Sequence, residues 1–202
     1  MSSDPTRPPP PARFTVIARV LHWTTAVMVL AMLFIGVFMV TSIADFHVLV
    51  TIHEPLGIAI IIFVLVRIGW RLTHVPPPFP PGMGRLDRRA ATYSERLLYA
   101  LLLCQPLIGW AMVSASGQPI VLFGSLYLPA LAPQNSTLFA NLLHAHIAAA
   151  YLLYLTFAAH LAGVLVHTIL IRDGVLDRMA FWRAPKPSRG ATEVGAIGTE
   201  RP

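Results

Sequence analysis

Four long apolar runs organise the chain, separated by short polar connections. The first covers 16–40, with His22, Trp23, Thr24 and Thr25 as polar insertions near its start. The second covers 48–70, with His53 and Glu54 close to its start and Arg67 close to its end. The third, 97–113, contains Pro106 and Gly109, a pairing that predicts a kink. The fourth, 142–171, holds no Asp, Glu, Lys or Arg, only histidines. Each is long enough to cross the hydrocarbon core as a helix, the spanning form open to a chain outside closed barrels. The pattern predicts an all-α, integral-membrane four-helix bundle over 13–180. The proline-rich segment 1–12 and the polar segment 181–202 read as disordered tails.

Composition settles the medium. Of 202 residues, 55% are hydrophobic and 12% charged, against about 25% charged in an ordinary soluble domain. The single cysteine, Cys104, excludes a disulfide scaffold, a zinc-thiolate site and covalent haem attachment through Cys-x-x-Cys-His. The net charge of +6 is no nucleic-acid footprint, because the basic residues flank the apolar runs.

Their distribution instead sets a topology. Arg7, Arg13 and Arg19 lie around the start of the first run. Arg67, Arg71, Arg85, Arg88, Arg89 and Arg96 lie around the second connection. Arg172, Arg178, Arg183, Lys186, Arg189 and Arg201 follow the fourth. These are all 15 Lys and Arg of the chain, and segments 41–52 and 114–141 hold none. The positive-inside rule then places the N and C termini in the cytoplasm. The first run, followed by Ser42-Ile43-Ala44, resembles a cleavable secretory signal, but it exceeds the ~7–15 residues of a signal's apolar region.

Ionisable residues at membrane depth point to function. His146 and His160 are 14 residues apart, within about 40° of one helix face and about 21 Å apart along the axis. His167, 7 residues further on, returns to that stripe within about 20°. His22 and His53 complete two levels: His53 with His146 on the outer side, His22 with His160 on the inner side. Each level offers two neutral imidazoles from different helices, which is what a haem iron ligated on both axial faces requires. Without a thioether motif such haems are non-covalent, hence two haem b. Gly36, Gly57 and Gly163 lie where a macrocycle needs clearance, or where helices pack closely. Arg67, on the His53 face near the inner level, either pairs with a haem propionate or snorkels to lipid headgroups. His144 points to another side of its helix. His47 and His74 lie in connections, Cys104 reads as a packing residue, and Trp23, Trp70, Trp110 and Trp182 mark span ends.

The chain resembles the bacterial cytochrome b561 family and, more distantly, the cytochrome b subunits of nickel–iron hydrogenases. The likeness rests on Leu21-His22-Trp23, Ile52-His53 with Leu56-Gly57, and Arg67 to Arg71 leading into Pro76-Pro77-Pro78. It continues through Pro106-Leu107-Ile108-Gly109-Trp110, Ser114-Ala115-Ser116-Gly117, the histidines 146, 160 and 167, and the run from Arg172 to Met179. The resemblance implies a dihaem membrane cytochrome of the bacterial inner membrane whose axial ligands are His22, His53, His146 and His160. It implies electron transfer between a periplasmic-side donor, either superoxide or a redox protein, and the membrane quinone pool. With superoxide as donor the chain would be an oxidoreductase of the superoxide:quinone type. His167 and Arg13 are the quinone-side candidates. This chain departs from the family pattern in carrying His167-Thr168 where members often have adjacent histidines, and in lacking basic residues in the outer connections. Two other readings carry their own tests: an anchor subunit of a multi-subunit dehydrogenase, which would co-purify with a periplasmic redox partner, and a histidine-lined metal transporter, which would be colourless.

Overall fold

The computed structural model describes residues 13–80, 82–122 and 124–182. Both tails expected to be disordered, 1–12 and all but the first two residues of 181–202, lie outside the described residues. Four helices dominate: α1 (Val16–Thr41), α2 (Phe46–Thr73), α3 (Arg85–Ser116) and α4 (Ser136–Leu165). All four are long and apolar enough to cross a membrane, and the chain is an all-α transmembrane bundle.

Local chemistry marks the helix ends. The Thr15 hydroxyl accepts from the Ala18 N–H and opens α1, and Asn135 Oδ1 accepts from Leu138 N–H and opens α4. Helix α3 stops where Gly117 takes φ +82°, a left-handed cap; a side chain there would also strike Gln134. Two helices outrun their apolar stretches. α3 opens at Arg85 rather than near 97, and α4 at Ser136 rather than near 142. The extra turns of α3 carry Arg85, Arg88, Arg89 and Arg96 with Ala90 and Ala91, good helix formers, and the arginine charge hides these turns from a hydropathy reading. α3 runs on as helix through Pro106.

Between α3 and α4 a two-stranded hairpin, β1 (Val121–Leu122) with β2 (Leu126–Tyr127), pairs Val121 with Tyr127 and Leu122 with Leu126. It is tied down by Trp110 Nε1–H donating to the Pro129 carbonyl and by Leu131 N–H donating to Ser114 Oγ. Beyond α4 the chain widens into a π-helical turn, Val166–Ile171. It then reverses at Arg172, with φ +57°.

The buried core is a thin apolar layer at mid-bundle: Val29 and Leu33 from α1, Ile60 and Val64 from α2, Leu101 from α3, and Leu153 from α4. The buried hydroxyls of Thr25 and Thr156 are satisfied within their own helices, by the carbonyls of Leu21 and Leu152. Large apolar side chains such as Val27, Phe34, Ile62 and Leu155 point outward, as lipid-facing surface must. Backbones approach closely between α1 and α2, α2 and α3, and α3 and α4. Across the α1–α4 gap Tyr154 donates a hydrogen bond to the Leu33 carbonyl.

The start of α1 and the segment after α4 meet at one end of the bundle. Phe14 N–H donates to the Arg178 carbonyl at 3.2 Å. Arg19 donates to Ala180, and Trp23 Nε1–H to Met179. Arg178 is buried, donates to the Pro77 carbonyl at 2.6 Å, and lies over the Phe14 and Phe79 rings. Burial pushes its pKa down, and the Asp173 carboxylate partly offsets that. This basic end also carries the α2–α3 connection.

Candidate functional site

At the end of the bundle opposite the basic one, His53 of α2 faces His146 of α4. Their ring centres are 6.3 Å apart and their planes are inclined by 64°. That separation is too wide for ring stacking or a direct hydrogen bond. An imidazole nitrogen bonds a metal at about 2 Å and lies about 1 Å from its ring centre, so centres about 6 Å apart bracket one metal ion.

α3 supplies the wall behind this pair. A Cβ on Gly109 would come within 3.1 Å of His146 Cε1 and 3.4 Å of its Nδ1, so the imidazole lies against the bare α3 backbone. One turn earlier, Gln105 Nε2–H donates to the His146 carbonyl at 3.0 Å. Neither Gln105 nor this role of Gly109 was legible in the sequence, where Gly109 read as a kink.

At the basic-end level His22 of α1 and His160 of α4 lie within electrostatic range of each other and of the Arg67 guanidinium. Arg67 also stacks over Tyr99 at 5.3 Å. The structure thus groups the four histidines as His53 with His146 and His22 with His160. The thin core of Val29, Leu33, Ile60, Val64, Leu101 and Leu153 lies between the two levels. His144, His47 and His74 are exposed, and so is Cys104.

The three glycines differ in surroundings. A Cβ on Gly57 would make ordinary contacts with Pro106 and Met32, and one on Gly36 would lie 3.9 Å from the Tyr154 oxygen. Nothing lies within 4 Å of Gly163. Gly57 and Gly36 are therefore positions in ordinary contact with neighbouring helices, and Gly163 borders open space.

Arg13 and His167 are not brought together. Arg13 donates to the Trp182 carbonyl and lines an open cleft at the basic end, with Thr15, Arg67, Trp70 and Tyr99 among its other walls. His167 is not among the residues lining it. Its Nδ1 contacts Asp173 Oδ2 at 2.6 Å, in a pair with little exposure. His167 is the second residue of the π-helical turn that follows α4.

Residues 13–182 match the family described as prokaryotic cytochrome b561. The chain belongs to that family. It is 32% identical to cytochrome b561 homolog 2 of Escherichia coli over 174 residues, covering 84% of this chain and 92% of the relative. It is 28% identical to cytochrome b561 homolog 1 of the same organism, over 83% of this chain and 96% of that protein. A Yersinia pestis protein named probable superoxide oxidase CybB is 29% identical over 63% of this chain and 72% of its own length.

As a member of the cytochrome b561 family the chain is a multi-pass bacterial membrane protein of electron transport with a b-type haem cofactor. Its residues fit that cofactor. The Nδ1 atoms of His22, His53 and His146 are enclosed by protein and without a hydrogen-bond partner, which leaves Nε2 as the nitrogen able to meet a metal. In this cytochrome the four indole N–H groups are all bonded: Trp23 and Trp110 to backbone carbonyls, Trp70 to Thr15, and Trp182 to Asp177. They anchor span ends to connections.

Proposed function

We propose that this cytochrome carries electrons across the bacterial inner membrane through two b haems, one held by His53 and His146 and the other by His22 and His160. The observation that carries the reading is the 6.3 Å separation of the His53 and His146 rings. A haem iron, once bound, supplies reversible one-electron chemistry. The protein's part is to fill both axial positions with neutral imidazoles from different helices and to hold the sites about 21 Å apart along α4. Arg67, permanently charged, stands beside the inner pair, where a haem propionate would need a cation.

In this reading the basic end faces the cytoplasm, and the cleft beside Arg13 and Arg67 takes the quinone. Reducing a quinone to a quinol takes two electrons and two protons. Two superoxide ions, each becoming O₂ as it releases one electron, would supply the electrons at the outer side. The relative named as a superoxide oxidase supports that donor. The protons enter from the cytoplasmic side. The carboxylate of Asp173 only accepts hydrogen bonds when ionised, so it holds a proton on His167 Nδ1 and makes that pair a candidate relay.

The test is haem stoichiometry and spectra of the purified full-length protein in lipid nanodiscs. Two b haems per chain with little carbon monoxide binding are expected. His53→Ala or His146→Ala should remove one haem, and His22→Ala or His160→Ala the other. Loss of a haem in His144→Ala but not in His146→Ala would overturn the ligand assignment.

A further inference from the structure

α3 contributes no histidine, yet it presses on His146 at two positions. Gln105 and Gly109 are four residues apart and so share a helix face. Gly109 lets the imidazole lie against the helix, and Gln105 reaches the same residue's carbonyl. Because that carbonyl can only accept, the amide nitrogen must be the atom facing it, which fixes the orientation of the Gln105 amide. The other amide atom, Gln105 Oε1, is enclosed and has no partner, and so is His146 Nδ1. A buried polar atom without a partner is costly to the fold.

These two atoms are chemically complementary. When His146 uses Nε2 as a metal ligand, its neutral ring carries a hydrogen on Nδ1 and needs an acceptor. Gln105 Oε1 is an acceptor in need of a donor. The terminal amide torsion of glutamine is broad, so the Gln105 amide can reorient beside His146 without leaving a rotamer well.

We infer that Gln105 is a positioning residue for the outer haem: its amide anchors the His146 backbone, and its Oε1 accepts the hydrogen bond from His146 Nδ1 once His146 is ligated. Such a bond raises the basicity of the ligating imidazole and fixes its ring orientation. A more basic ligand stabilises the oxidised iron, so Gln105 holds the outer potential down. His22 and His53 also bury an unpartnered Nδ1, but no hydrogen bond of a side-chain amide reaches either residue among those described. The effect is therefore confined to the centre that His146 serves.

This inference rests on the haem reading above, and the test separates the two. Redox titration of the full-length holoprotein, followed optically and by electron paramagnetic resonance, gives a potential and a low-spin signal for each haem. His146→Ala first identifies the outer haem by its loss; if no haem is lost, the ligand assignment fails and not merely the role of Gln105. In Gln105→Leu, of similar size but with no amide, the outer potential should rise and its low-spin signal should shift, with the inner haem unmoved. Gln105→Glu keeps an acceptor oxygen and should leave the outer potential at or below the wild-type value. If Gln105→Leu cannot hold the outer haem, retention in Gln105→Glu carries the same conclusion. An unchanged outer potential in Gln105→Leu, an equal shift of both haems, or loss of the outer haem in both variants would overturn it.

Discussion

Tyr154 of α4 donates its phenolic hydrogen to the backbone carbonyl of Leu33 in α1. The bond joins the two helices that carry His160 and His22, beside the buried Leu33–Leu153 layer. Tyr154→Phe keeps the ring and deletes only the bond, so stability should fall by about 0.5–1.5 kcal/mol. Thermal unfolding in a fixed detergent would read this. Both haems should remain, because no ligand is touched. An unchanged melting temperature would show that the contact contributes nothing net.

Gly109 offers a sharper steric test. A methyl group there would stand 3.1 Å from His146 Cε1, and overpacking of this kind costs about 1–3 kcal/mol. Gly109→Ala should lower the occupancy of the outer haem while the inner one is retained. Gly69→Ala is the control, since nothing lies within 4 Å of that position. If the two variants bind haem alike, the His146 ring has more room than this packing allows.

Arg13 and His167 should affect quinone turnover differently. Arg13 lines the cleft and His167 does not. Arg13→Ala should raise the KM for added quinone with little change in kcat. His167→Ala should retain both haems and lower kcat, because it removes a proton carrier rather than a binding contact. Reoxidation of pre-reduced haem by a soluble quinone, followed by stopped flow, separates the cases. Full-speed reoxidation in His167→Ala would remove the His167–Asp173 pair from the mechanism.

Superoxide, as an anion, is gathered fastest by positive potential. Segments 41–52 and 114–141 carry no Lys or Arg, and Asp45 and Glu54 add negative charge. What attraction remains comes from the N-terminal ends of α2 and α4, worth about +0.5 charge each and felt only within about one turn. Haem reduction by superoxide should therefore lie well below the diffusion limit and vary little with salt, because there is little long-range steering to screen. A fast rate that collapses as salt rises would reveal a cationic funnel. No reduction at all would favour a protein donor.

Much of this architecture can be read directly from the residues. Histidines inside apolar runs stand out; helical spacing aligns His146 with His160, and the topology set by the basic residues puts His53 level with the first and His22 level with the second. What escapes is whatever carries no periodic signal. Gln105 is one polar residue before a proline, and its reach to His146 depends on the α3–α4 approach. The early start of α3 is masked by its arginines. The π-helical turn at Val166–Ile171 has no composition of its own either.

Helix α4 is the last of the four to be synthesised, and both imidazole pairs draw a member from it. At about 5–20 residues per second, α1 waits on the order of ten seconds after leaving the ribosome before α4 exists. His22 and His53 spend that interval without their partners, while α1 and α2 can already pack together. The Phe14–Arg178 hydrogen bond then joins the earliest described residues to nearly the latest. If the proposed ligand pairs hold, haem binding at either level waits for α4, and a chain truncated before α4 should stay colourless.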